Sequence, residues 1–149
     1  MTTPSILANT AGDARVDRSG AVRSIKGTAT VPNATAADTI IGLIRFQKGF
    51  SLQHLALTPS DMDAGTTVTL DVGFVYDDNV TYTDNPDAFF DGSASIQTGV
   101  GIVWPVASGL LVGTGFVAEA DGYIVAQIKV DPTEAEGTID FQALFSYDA

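Results

Sequence analysis

"TTVTLDVGFVY", residues 66–76, decides the fold class. Val68, Leu70, Val72, Phe74 and Tyr76 recur at every second position, with Thr67, Thr69, Asp71 and Gly73 between them. Successive side chains of an extended chain point to opposite faces, so this alternation predicts a β-strand with one apolar face. The same period returns toward the C-terminus. In "YIVAQIKV" (123–130) Ile124, Ala126, Ile128 and Val130 share a face, and in "TIDFQALFSY" (138–147) Ile139, Phe141, Ala143, Phe145 and Tyr147 alternate with Asp140, Gln142 and Ser146.

Outward from these three, the chain reads as strands divided by turn chemistry. "AVRSIKGTATV" (21–31) stops before Pro32, and "DTIIGLIRF" (38–46) is rich in β-branched residues. "KG" (48–49) predicts a turn into "FSLQHLAL" (50–57), and "TPSDMDAG" (58–65) is a turn cluster. "GIVWPV" (101–106) is broken by Pro105 and so predicts an edge or bent strand. In "LLVGTGFVAE" (110–119) Gly113 and Gly115 predict a bulge, "DG" (121–122) predicts a hairpin turn, and "DPTEAEG" (131–137) turns again. No helix-period window longer than ten residues survives. The expectation is an all-β domain: an antiparallel β-sandwich or jelly roll of about eight strands spanning residues 21–149. Residues 1–20 are small and polar, with only Ile6, Leu7 and Val16 as large aliphatics, and predict an extended, flexible N-terminal arm.

The 149 residues make one domain with enough length to bury a core. No apolar run reaches 18 residues, so no membrane span is expected, and "MTTPSILANTAGDARVDRSG" lacks the basic start and apolar block of a secretory signal. With no cysteine there is no disulfide, thiolate metal site or Cys nucleophile, which fits synthesis in a reducing cytosol. The net charge is −11, and it is unevenly spread. Residues 1–50 hold six of the seven basic groups against three acids; residues 51–149 hold Lys129 against fifteen. A mildly basic N-terminal part on an acidic body predicts two surfaces with different jobs. Nucleic acid is an improbable partner for the acidic body, which repels phosphate.

Motifs for catalysis are missing. The single histidine, His54, lies in a strand among Leu52, Leu55 and Leu57, as a structural or interface group would. No nucleophile elbow, zinc-protease helix motif or phosphate loop occurs, and the glycines of 113–122 lack the third glycine and following helix of a dinucleotide site. The acidic stretch "YTDNPDAFFDG" (82–92) is the remaining candidate. Asp84, Asp87 and Asp91 offer oxygens for calcium, but their spacing is not that of a calcium-binding loop. A local reading accounts for more positions. Asp84 or Asn85 caps a short helical turn, Pro86 takes its first position, Asp87 faces the positive end of its dipole and Gly92 ends it. Phe89 or Phe90 then anchors the turn in the core. A sugar groove needs exposed rings, for which Trp104, Tyr76, Tyr82 and Tyr123 are the candidates, though core packing is their default.

Through "DTIIGLIRFQKGFSLQHLALTPSDMDAGTTVTLDVGFVYDDN…DNPDAFFDG" the chain resembles the decoration, or cement, proteins and related small head proteins of tailed bacteriophages. The likeness covers roughly residues 38–92 in pattern. It implies a structural, non-enzymatic virion protein, made in the host cytoplasm and seated on the outer capsid surface, needing no cofactor. It implies a homotrimer whose partner is the major capsid protein. On this reading the arm, about residues 1–30, lies on the major capsid protein or a neighbouring subunit, with Arg15, Arg18, Arg23 and Lys26 meeting acidic capsid surface. Two other classes stay open: a carbohydrate-binding or adhesin-type module of a head fibre, and a polysaccharide-degrading enzyme with paired buried carboxylates.

Overall fold

The computed structural model describes residues 6–7, 12–13, 22–31, 39–60, 69–93, 101–104, 116–129 and 137–147. Among these residues there is no helix and there are eleven strands: β1 (Ile6–Leu7), β2 (Gly12–Asp13), β3 (Arg23–Val31), β4 (Ile40–Phe46), β5 (Phe50–Pro59), β6 (Thr69–Tyr76), β7 (Asn85–Ser93), β8 (Ile102–Trp104), β9 (Phe116–Val117), β10 (Gly122–Lys129) and β11 (Gly137–Tyr147).

Eight of these build a sandwich of two antiparallel sheets. One runs β4-β10-β6-β7 and the other β3-β11-β5-β8. Strands consecutive in sequence mostly lie in opposite sheets, which is the order of a jelly roll. The short pieces extend the sheets. β1 and β2 pair in parallel with the free edge of β4, Ile6 beside Ile40 and Asp13 beside Arg45, and β9 pairs with β5.

The expected faces hold. Leu70, Val72, Phe74 and Tyr76 of β6, Ile124, Ala126 and Ile128 of β10, and Ile139, Phe141, Ala143, Phe145 and Tyr147 of β11 all enter one core between the sheets. One end of that core is aromatic. Phe74 stacks on Phe116 with centroids 4.5 Å apart, Phe46 stacks on Phe50 at 5.3 Å, and Phe116 meets Phe46 and Phe89 edge-on. Each such pair adds about 0.5–1.5 kcal/mol beyond the area it buries. Two tyrosines face this end yet keep their hydroxyls paired. Tyr147 Oη accepts the Gln47 N–H and Tyr76 Oη accepts the Glu119 N–H. Both bonds pin connections that cross between the sheets.

Two expectations are corrected. Asp121–Gly122 is not a hairpin turn: β9 belongs to the β5 sheet and β10 to the β4 sheet, so the link crosses the sandwich. It is tied across its path, since Asp121 Oδ1 accepts the Lys48 N–H and the Asp121 carbonyl accepts the Asp77 N–H. "NPDAFFDG" is not a capped helical turn but strand β7, on the edge of its sheet. Its register against β6 shifts twice, from Leu70↔Ser93 to Val72↔Phe90 to Phe74↔Asn85. The extra residues arch over Gly73, whose added Cβ would lie 2.1 Å from the Asn85 oxygen. Burial outweighed capping here: Ala88, Phe89 and Phe90 are all in the core. The predicted Phe anchor is real, and both rings serve it.

For the stretch 101–106, β8 (Ile102–Trp104) stands at the end of its sheet among the described residues, and Pro105 and Val106 lie outside them. The bulge expected at Gly113 and Gly115 lies outside the described residues.

Candidate interaction surfaces

The four basic residues singled out from the sequence do not form one group. Arg15 and Arg18 lie outside the described residues. Arg23 and Lys26 belong to β3, a strand of the body rather than of an arm. They are three positions apart in an extended strand and so point to opposite faces. Lys26 shares its face with Ser24, Thr28 and Thr30, the outer face of the sheet.

The aspartates of 82–92 serve different places along β7. Asp84 Oδ1 accepts the Tyr76 N–H at 2.8 Å, which fixes the start of β7 against the end of β6. Asp87 and Asp91 lie further along β7, Asp91 exposed. Among the described residues no three His, Cys, Asp or Glu side chains are disposed to hold a metal ion.

A carboxylate not singled out from the sequence, Asp71, is the more unusual one. It is 8% exposed, on the outer face of β6, and its Oδ1 accepts the Gly92 N–H at 2.8 Å. Gly92 takes φ +67°, a left-handed conformation that suits glycine, and so presents that N–H. Burial pushes the Asp71 carboxyl above the ordinary carboxylate range; the Gly92 bond opposes this, and Asp91 and Asp87 add to it. Its place between Leu70 and Val72 in an alternating strand marked it only as an outward residue. The arch of β7 that covers it is a long-range event with no local signal.

At the end of β6, Asp78 Oδ1 accepts the N–H groups of Val80 and Thr81, closing a small turn. Bonds from Thr81, through backbone and side chain, and from Val80 hold the Asp78 carboxyl below its usual value. Arg45 clamps Asp77 with two bonds of 2.8 and 2.7 Å, and its guanidinium lies 4.7 Å from the centroid of Tyr123. The Asp77 bond, set against partial desolvation, raises the Arg45 pKa. A depression of about 320 Å³ opens here, lined by Lys48, Asp77, Asp78, Tyr82, Glu119, Ala120 and Asp121.

Of the tyrosines offered for a sugar groove, Tyr76 is buried, while Tyr82 and Tyr123 are half-buried, Tyr82 packed against Tyr76 at 5.5 Å and Tyr123 against the Arg45 guanidinium. His54 is half-buried on the outer face of β5, opposite Leu144 at a register shift.

That outer face is the other candidate surface. Its residues are small, polar and mutually bonded. The Thr28 hydroxyl donates to Asp140 Oδ1 at 2.6 Å, Gln142 donates to the Ser24 hydroxyl at 3.3 Å, and Gln53 donates to Ser51 at 3.0 Å. A wide depression of about 560 Å³ lies at its centre, lined by Lys26, Gly27, Thr28, Ala56, Thr58, Asp140, Phe141 and Gln142.

Comparison with solved structures places this architecture. The chain shares its fold with chains of three bacteriophage capsids. For the capsid of Ralstonia phage GP4 the TM-score is 0.71 at 22% identity, covering 92% of this chain and 91% of that one. For the cyanophage Pam1 capsid asymmetric unit it is 0.67 at 19% identity, covering 99% and 98%. The acidic stable capsid of Helicobacter pylori bacteriophage KHP30 gives 0.54 at 12% identity, covering 87% and 95%. In sequence, no family model and no curated protein matches the chain.

Proposed function

We propose that the chain is a structural protein of a phage virion, and more specifically a capsid decoration protein that binds the outer surface of the head and stabilises it. The observation that carries this reading is the fold shared with phage capsid chains over nearly the full length of both partners. A jelly roll hosts many functions, so the fold alone is an analogy. The character of the surface supports it. Asp71, Asp78 and Asp84 accept backbone N–H groups, and a polar sheet face is left for contact. The protein acts without catalysis. Copies associate as a trimer on the shell, with the major capsid protein as partner. Arg15 and Arg18 of the N-terminal segment, with Arg23 and Lys26 of β3, supply positive charge toward it.

The test is binding of the purified protein to heads that lack it, full length against a variant without residues 1–20. Saturable binding of the full chain, weakened by the truncation, is expected. Equal binding by both removes the N-terminal segment from the contact. Binding by neither removes the decoration function.

A further inference from the structure

Strand β4 is apolar and buried over nearly its whole length, from Ile40 to Ile44 and again at Phe46. β10 pairs with one of its edges. The other edge, left bare, would present unpaired backbone N–H and C=O groups on an apolar strand, and such an edge draws in another chain. Residues of the N-terminal segment cover it, but thinly. Among the described residues, β1 pairs Ile6 with Ile40 and Leu7 with Ile41, and β2 pairs Gly12 with Ile44 and Asp13 with Arg45. Both ladders are parallel, the pairing that is slightly weaker per residue.

The tie between this segment and the body is long for what it spans. Asp13 lies beside Arg45, next to Phe46, and β3 begins at Arg23 beside Phe145. Phe46 and Phe145 both stack on Phe50, with centroids 5.3 Å away in each case, so the two ends of the tie sit at one end of the sandwich. Residues 14–22 join them. A stretch of that length reaches about 30 Å when extended, the width of a small domain. The same segment therefore fits its own β4 or the β4 of an adjoining copy. The backbone pairs are identical in the two cases, so closure within one chain is favoured only by its effective concentration, and that advantage fades where copies stand side by side. Every copy carries one donor, residues 6–13, and one acceptor, the outer edge of β4.

We infer that copies of the chain associate by strand exchange: residues 6–13 of one copy pair in parallel with the outer edge of β4 in the next, in the register of the single chain. The inference rests on the association of copies proposed above and names its contact. Exchange that passes from each copy to the next closes as a ring, here of three.

The test uses the absence of cysteine from the chain. Residues 6 and 40 are register partners, and adjacent strands stand about 5 Å apart, within reach of a disulfide. The single variants Ile6→Cys and Ile40→Cys are mixed, unfolded, refolded together at high protein concentration and oxidised; melting curves check that each is folded. Leu7→Cys with Ile41→Cys, the next pair in register, gives the same readout from a second site. Exchange should give a disulfide-linked pair of the two variants as the main product, lost when either variant is oxidised alone. With both cysteines in one chain it should give covalent trimers. A mixture that yields no linked pair, with the double variant closed on itself as a monomer, overturns the exchange. Head binding is read separately. Wild type that binds undecorated heads while the disulfide stays within one chain overturns the exchange and leaves the decoration function standing. Exchange in a protein that binds no heads supports the contact and overturns the decoration function alone.

Discussion

Gly73 is where one added methyl group matters most. Its Cβ would fall 2.1 Å from the Asn85 oxygen and 2.4 Å from the Pro86 carbonyl carbon, both backbone atoms that a rotamer change cannot move aside. Gly73→Ala should destabilise the fold by about 3 kcal/mol, the upper range for overpacking, read as a lower midpoint in urea. At Asp71 the expected effect is on pH dependence. Its folded pKa is raised, so above that pKa the fold holds a charged carboxylate at a cost. The cost is relieved as the pH falls through the folded pKa and is gone below the unfolded value of about 3.9. Asp71→Asn keeps an oxygen for the Gly92 N–H and removes the charge. It should melt a few degrees above wild type at pH 7, the scale of about 1 kcal/mol in a domain of this size. The gap should narrow toward pH 4 in calorimetry. Neither role was legible in the sequence. Gly73 and Asp71 sit in the alternating strand as ordinary outward residues, and what constrains them arrives from β7, 12 to 21 residues away.

Strand β7 separates the local reading from the global one. Asn85, Pro86 and Asp87 have the chemistry of a helix start, and in isolation that chemistry would favour a turn. The edge of β6 and the core make the competing offer: backbone pairing for the strand and burial for Ala88, Phe89 and Phe90. Truncations should show which prevails. Phe89→Ala, emptying a fully buried site that touches Phe74 and Phe116, should cost about 3–5 kcal/mol in unfolding free energy. Asp84→Ala orphans the Tyr76 N–H and should cost about 1–3 kcal/mol. Asp87→Ala should cost under about 0.5 kcal/mol, because Asp87 caps nothing. Strands β6, β10 and β11 were legible because their period-two pattern reports burial directly. β7 and the Asp121–Gly122 crossing were not, because sheet membership is set by partners distant in the chain.

At the scale of the whole molecule, the sequence already showed the charge asymmetry, but along the chain and not in space. Among the described residues, Lys26 lies on the body strand β3, and Asp71, Asp77, Asp78, Asp84, Asp87 and Asp91 lie on β6, β7 and the connection between them. The jelly-roll class was legible from strand spacing, and the likeness to phage capsid chains agrees with the resemblance carried by residues 38–92. Chelator or added calcium should leave the melting temperature of the whole domain unchanged, since Asp84 is committed to the β6 backbone and stands apart from Asp91. The most direct measurement of the central claim is electron cryo-microscopy of undecorated heads incubated with the purified protein. New density on the outer shell surface that fits the sandwich is expected. Heads whose outer surface is unchanged at saturating protein would contradict it.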